Sequence, residues 1–536
     1  MNFVGFHCYT GGAERYAPYV EPFIRIRYRD VEPEAGLDTS LTARWGYRPL
    51  AVKDFAFETG KLFKLRRGAN AFGADAATTA RSNAERYAKA QELMRSVLGL
   101  AHQRGLQVAI GFEFGVHPPE LASIVPPESR IPGALLPDPM HPANIEILRS
   151  ALGNILDTYP SVDWIWLWLH EHTMFISQPR LEGDFRKFYE TNHQYFGGAE
   201  RDQNVFTGVW SLAYINQVRE YLHRRSPATR LVIGGWGGGP QLPPILRGLD
   251  RSLPKEVVFS CLNPNMGATP FVPVLKEIAR NREVWSMPWL EGDGSLWHLQ
   301  LRAAATHEQV RAGQEAGLRG AVAIHWRTEE IRPNFEAFSR AVAAPMVAAS
   351  AEELYLDHCR KRYGEAAAAP LASLFTKLEV DGKLGNLRSP EFFPYDPSWG
   401  RLDSALNRDI QEAVGLIEKL RRDASDKEAK ELGWLGDNFR FTLLLDDVGR
   451  KLEPAYLLKE AWLRQDTNEW DSRVAAARDA LLRAPIQELL EVFARRVRSR
   501  GELGELSALN QKLWLQYLEL RAFLEKHNPL PPLKKK

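Results

Sequence analysis

Short runs of β-branched and aromatic residues recur along the first two thirds of the chain. Each is followed by polar, glycine-bearing residues and then by a stretch with helical spacing of its apolar positions. The runs are NFVGFHC at 2–8, QVAIGFEF at 107–114, DWIWLWLH at 163–170, RLVIGGW at 230–236, VVFSCLN at 257–263, EVWSMPWL at 283–290 and GAVAIHWR at 320–327. Such alternation marks βα units. An eighth strand is expected between 20 and 65, where FIRIRYRDV and DFAFETGKLF both qualify. Eight units within residues 1–345 predict an α/β fold, a (β/α)8 TIM-like barrel with long loops. The intervening helices are punctuated accordingly: SNAERYAKAQELMRSVLGLAHQRG ends on Gly105, just ahead of the strand at 107. An open doubly wound sheet is the competing topology, but the GG of YTGGAER lacks the pattern of the Gly-rich phosphate turn that follows its first strand.

Beyond 345 the strand pattern stops. Charged amphipathic stretches such as LNRDIQEAVGLIEKLRR and LSALNQKLWLQYLELRAFLEKH predict an α-helical C-terminal domain over 346–536, interrupted by a Gly- and Pro-rich loop at 381–401. Helices of this kind could cover the barrel's outside, form a homodimer interface or reach a neighbour's active site.

Composition narrows the function classes. The 536 residues are 44% hydrophobic and 25% charged, a globular balance. Positive and negative side chains number 69 and 67, so the net charge of +2 supplies no field to gather nucleic acid or an anionic membrane, and neither is expected as a partner. Three cysteines, Cys8, Cys261 and Cys359, cannot build a disulfide framework or a Cys-rich zinc site. With no apolar run of about 18 residues and no basic leader followed by one, a cytoplasmic protein in a reducing compartment is expected.

In a barrel, chemistry gathers where the C-terminal ends of strands release their loops. Those ends carry Glu113, Glu171 in WLHEH, Glu291 and Asp293 in PWLEGDG, and His325 with Arg327 in HWRTEE. Charged groups among aromatic neighbours are costly to bury unless each has a partner or a task. Two glutamates, each after a tryptophan-rich run, are what a glycosidic bond requires: one to protonate the leaving oxygen, one to attack or to activate water. Each could instead form a salt bridge or cap a neighbouring helix.

On these residues the first 345 positions resemble the barrel glycoside hydrolases of the retaining type, which place an acid/base glutamate at the end of strand four and a nucleophile at the end of strand seven. The resemblance puts Glu171 of WIWLWLHEH and Glu291 of WSMPWLEGDG in those roles. The run from SCLNPNMGATP through MPWLEGDGSLW to GAVAIHWRTEEIRPN is also similar to large bacterial sugar-hydrolase-like proteins. His170 stands where the family has an asparagine before the acid/base, which puts the usual hydrogen bond to a sugar 2-hydroxyl in doubt. No GGDE-type pair of the substrate-assisted hexosaminidases is present.

The expected function is therefore a glycoside hydrolase removing a terminal sugar, with carbohydrate as its partner and no cofactor. Glu113 is a further candidate, as a tuning carboxylate, a contact for a sugar hydroxyl or a partner for Arg327. His7, His170 and His325 are candidate substrate contacts. The HEH of His170 and His172 could supply two zinc ligands, but it suits hydrogen bonding equally, and no metal is expected. Trp289, Trp297 and Trp326 are candidate stacking platforms, whereas Trp164 and Trp166 are expected to pack between strand and helix. Convergence of Arg130, Arg201 and Arg327 would mark an acidic sugar, hydrolysed with inversion by a histidine or Glu113 as base. A carbohydrate-binding or scaffolding protein without chemistry is the alternative from another class.

Overall fold

The computed structural model describes residues 3–8, 23–31 and most of 80–527. Its internal gaps include 116–118, 174–178, 198–201, 265–268, 381–383, 389–394 and 499–504, together with single positions such as His172 and Trp326. Every one of the seven clear runs forms a strand: β1 (Phe3–Cys8), β2 (Gln107–Glu113), β3 (Trp164–Trp168), β4 (Arg230–Gly234), β5 (Val258–Leu262), β6 (Val284–Met287) and a two-residue β7 (Gly320–Ala321). They lie side by side in sequence order, all parallel. Parallel strands buried on both faces tolerate continuous apolar runs, and β-branched and aromatic residues fit that setting.

Among the described residues the expected eighth strand is not found in the sheet. β1 pairs directly with β2, from Phe3 opposite Gln107 to Cys8 opposite Phe112, so no strand from 20–65 intervenes. FIRIRYRDV instead forms a tight turn bridged between Tyr28 and Val31. Its backbone is satisfied elsewhere: Arg25 N–H donates to Asn154 Oδ1 at 2.6 Å, and the Tyr159 hydroxyl donates to the Phe23 carbonyl at 2.6 Å. Phe23, Ile24, Ile26 and Tyr28 are buried. DFAFETGKLF lies outside the described residues. The architecture shown is thus mixed α/β with a curled parallel half-barrel, and a closed eight-stranded barrel is not shown. The same pairing changes the strand count, so Glu171 follows the third strand of the sheet and Glu291 the sixth, rather than the fourth and seventh.

The curl can be read from one contact. The rings of Trp164 on β3 and Trp285 on β6 stand 5.2 Å apart, edge to face. Across a flat sheet, three strand spacings would separate them by about 14 Å. Trp164, Trp166 and Trp168 join Trp285, Met287 and Trp289 in one cluster on the concave face. The alternate residues Ile165, Leu167 and Leu169 belong to the larger core shared with the helices, as the period of two requires. Trp164 and Trp166 therefore fill the inside of the curl rather than the space between strand and helix.

Helices of ten or more residues cover the other face: α1 (Asn83–Gln103), α2 (Pro142–Thr158), α3 (Gly183–Asn192), α4 (Gln203–Arg225), α5 (Pro243–Ser252), α6 (Ala303–Glu315) and α7 (Arg332–Ala343). They are followed by α8 (Ala351–Tyr363), α9 (Glu365–Val380), α10 (Ser404–Arg422), α11 (Asp426–Leu463), α12 (Trp470–Leu482), α13 (Ile486–Arg496) and α14 (Leu515–Glu525). Ser350 with Glu353 and Ser425 with Glu428 form capping boxes that start α8 and α11. The loop after β6 is built into this helical part: Trp297 shares a core with Trp399, Phe441 and Phe493, and Leu299 and Leu301 share another with Tyr355 and Phe375. Among the described residues no helix is long and apolar enough to cross a membrane.

Because the concave face is closed by indoles, Trp285→Ala and Trp164→Ala should each cost about 3–5 kcal/mol. Urea unfolding followed by circular dichroism measures this, and a loss below about 1 kcal/mol would mean that the inside of the curl is not tightly packed.

Candidate functional site

Parity along the strands decides which acids face the mouth of the curl. Ala109 lies in the concave cluster while Val108, Ile110 and Phe112 face the helices, so Glu113, four residues on from Ala109, ends β2 on the concave side. Glu113 is 6% exposed. On the neighbouring strand the chain leaves β3 through Leu169 and His170 into a single helical turn that carries Glu171 and Thr173, and the Thr173 hydroxyl donates to the His170 carbonyl at 2.9 Å. This turn brings Glu171 back over the strand end. Its backbone N–H donates to Glu113 Oε1 at 3.4 Å, and the Trp168 indole N–H donates to Glu171 Oε1 at 3.2 Å. Glu171 is half-buried, whereas His170 is buried with its ring edge-on to Trp210 at 5.5 Å.

Glu291 sits differently. It has no exposed surface, and Arg327 occupies both of its oxygens: the backbone N–H donates to Oε1 at 2.6 Å and Nε to Oε2 at 2.5 Å. Arg327 also donates from Nη1 to the Leu296 carbonyl at 2.6 Å. Burial alone would lower the pKa of this guanidinium, but the charges of Glu291, Glu330 and Glu505 outweigh it and hold the group above its ordinary value. Arg496, the last residue of α13, brings a second buried guanidinium to the same region. It donates to the Trp297 carbonyl at 3.1 Å, lies 3.9 Å from Glu330, and rests over the rings of Phe493 and Phe441. His298, fully buried beside the Thr442 hydroxyl at 3.2 Å, completes this electrostatic group.

The structure therefore brings Glu113 and Glu171 together and encloses Glu291 with Arg327. Trp289 is buried in the concave cluster with its indole N–H on the Asn263 carbonyl at 2.6 Å, and Trp297 is wholly enclosed, edge-on to Trp399 at 5.5 Å. Neither presents a face to a sugar, which corrects their reading as platforms: helices more than a hundred residues later cover Trp297, and the curl covers Trp289. His325 is exposed and Nδ1 bonds the Arg327 carbonyl at 2.9 Å. His7 is paired in register with Gly111 on the sheet. Trp326, His172 and Arg201 lie outside the described residues. The arginine clamp is not assembled among the described residues, because Arg327 is committed to Glu291 and Arg130 is an exposed loop residue bonded to the Ala122 carbonyl at 2.8 Å. Nor, among the described residues, do three His, Cys, Asp or Glu side chains form a group able to hold a metal ion.

Sequence reasoning missed Trp168 as a donor to Glu171, although its spacing of three residues was visible. It also missed Glu330, Arg496 and Glu505, for which no local pattern gives a signal.

No protein-family model matches the sequence, and no curated protein matches it. Among solved structures, the chain is similar to a mutant of the Thermobaculum terrenum O-GlcNAc hydrolase, with a TM-score of 0.40, 13% identity, and coverage of 83% of this chain and 87% of that one. It is also similar to a GH138 enzyme targeting pectin rhamnogalacturonan II, with a TM-score of 0.45, 12% identity, and coverage of 89% and 62%.

Glu291→Gln removes the direct ion-pair partner of the buried Arg327 and should cost about 3–5 kcal/mol, whereas Glu171→Gln should cost under about 1 kcal/mol. Denaturant melts of both variants test the contrast, and equal losses would contradict it. A pH dependence follows from His298, whose pKa burial, reinforced by the charges of Arg496 and Arg327, pushes down from 6.5 to about 3. Between those two values the unfolded chain takes up a proton that the folded chain refuses, so this contribution to stability is complete above pH of about 6.5 and declines as the pH falls toward about 3. His298→Gln should flatten the stability profile over that window, and an unchanged slope would remove His298 as its cause.

Proposed function

We propose that this chain is a glycoside hydrolase in which Glu171 is the general acid and Glu113 the second carboxylate. One observation carries this reading. At the C-terminal edge of the half-barrel, a half-buried glutamate is fixed by the Trp168 indole, and its backbone N–H donates to the carboxylate of a buried glutamate on the adjacent strand. Glycosidic cleavage needs a carboxylic acid at the leaving oxygen and a second carboxylate for the charge that develops on the sugar. Thr173 on the His170 carbonyl and Trp210 against the His170 ring hold the turn that carries the acid.

The assignment of Glu291 as nucleophile is the second reading. It is favoured by the ion pair with Arg327 and disfavoured by its complete burial with both oxygens engaged. The commitment of Arg327 to Glu291 also supports a terminal sugar without a carboxylate over a uronide or sialoside.

Initial rates on a panel of aryl glycosides, corrected for the folded fraction, separate these roles. Glu171→Gln should lose about 10²–10⁴-fold in kcat/KM. Its loss should be smallest on dinitrophenyl glycosides, whose leaving group needs no proton. Glu113→Gln should lose a similar factor on every leaving group, while the folded fraction of Glu291→Gln stays active. Full activity in Glu171→Gln would overturn the proposal, and an inactive but folded Glu291→Gln beside an active Glu113→Gln would move the second role to Glu291.

A further inference from the structure

The loops that leave Glu113 and Glu171 meet again farther from the strand ends. A cavity of about 560 Å³ opens between residues 127–142, which follow β2, and residues 180–185, which follow β3. This volume is within the range of sites for small organic ligands. Its walls are ordered by the chain itself. Arg130 and Pro137 form a bridge, and the Asn144 amide donates to the carbonyls of Ser129 at 2.7 Å and Asp138 at 2.8 Å. The two loops are tied together where Arg180 N–H donates to the Pro132 carbonyl at 3.1 Å.

Three facts define what could bind. Glu128, Asp138, Glu182 and Asp184 line the cavity against Arg130 and Arg180, so it has no surplus of positive charge. Lys187 pairs with Asp184 from outside at 2.8 Å, and the three remaining acids still outnumber the two arginines. Asp138 is half-buried, with the Met140 N–H on its Oδ1 at 2.8 Å, and burial raises its pKa above the ordinary value. Carboxylates and guanidinium groups thus share a wall that also contains proline and methionine, a mixture suited to the hydroxyls and C–H faces of a sugar, while a carboxylate or phosphate would meet the excess of acids.

One indole contacts both the residue before Glu171 and the loop that carries Asp138. Trp210 stands with its ring centroid 5.5 Å from that of His170, and its N–H donates to the carbonyl of Pro137, the residue before Asp138, at 3.0 Å. Gly115, with φ of 76°, lets the chain after β2 pass over that indole, since a Cβ there would come within 2.2 Å of it.

We propose that this cavity is a second carbohydrate subsite, which holds an uncharged sugar residue of the same substrate through Asp138, Arg130 and Arg180. The proposal rests on the glycosidase reading for its carbohydrate ligand and adds a requirement for a substrate of more than one sugar unit. The test is saturation-transfer NMR on the full chain carrying Glu171→Gln to prevent turnover, titrated with cellobiose, N,N′-diacetylchitobiose and digalacturonate. At least one uncharged disaccharide should bind, digalacturonate should not, and adding Asp138→Ala should weaken binding at least fivefold. Arg180→Ala, a change at an exposed side chain, should weaken it in the same direction, and melting curves verify that both variants are folded. Absence of disaccharide binding, binding unchanged in both variants, or preference for digalacturonate would overturn the subsite. The two readings fail separately: full activity in Glu171→Gln removes the catalytic assignment without touching this titration, and a titration indifferent to Asp138 and Arg180 removes the subsite while leaving Glu171 in place.

Discussion

The packing of indoles inside the curled sheet is the constraint on which the rest depends. A parallel sheet with a concave face must fill that face, and three tryptophans of one strand do so by meeting Trp285 three strands away. This filling draws the C-terminal ends of β2, β3 and β6 toward a common mouth. Since alternate residues face inward, Glu113 inherits its position from Ala109 and Gly111, and Glu171 is returned to the same region by the turn after His170. The mouth is thus a consequence of packing, and its acids are carried there by strand parity.

Accessibility then divides the acids. Glu171 is half-buried and held by one indole, while Glu291 has no exposed surface and is held by a guanidinium. A buried ion pair contributes little net stability, but losing one partner is expensive, so such a pair fixes the conformation around it. Here it fixes the loop after β6 against the residues that follow β7. The helical region takes part, because Arg496 and Glu505 add their charges to the same buried group and Trp434 donates from its indole to the Arg496 carbonyl at 3.0 Å. Sheet and helices therefore share one electrostatic interior, which also keeps His298 neutral.

Much of this was legible in the residues. All seven runs rich in β-branched and aromatic side chains became strands, because local type and a period of two suffice where both faces are buried. FIRIRYRDV has the same composition and became a turn, because Asn154 and Tyr159 satisfy its backbone from α2 and its vicinity while β2 takes the edge of β1. Strand propensity is local, but a place in a sheet depends on which neighbour pairs first. Trp297 followed the same rule: its sequence neighbours suggested a strand-end platform, and Trp399 and Phe441 enclosed it.

The chain by itself determined which segments become strands, and hence which ionisable residues follow them, because those properties depend on side chains only a few positions apart. Only the tertiary structure decided which of these acids water or a substrate can reach. Solvation of a carboxylate depends on groups brought beside it from far along the chain, as Arg327 is to Glu291 and Glu113 is to Glu171, and no local pattern encodes that proximity.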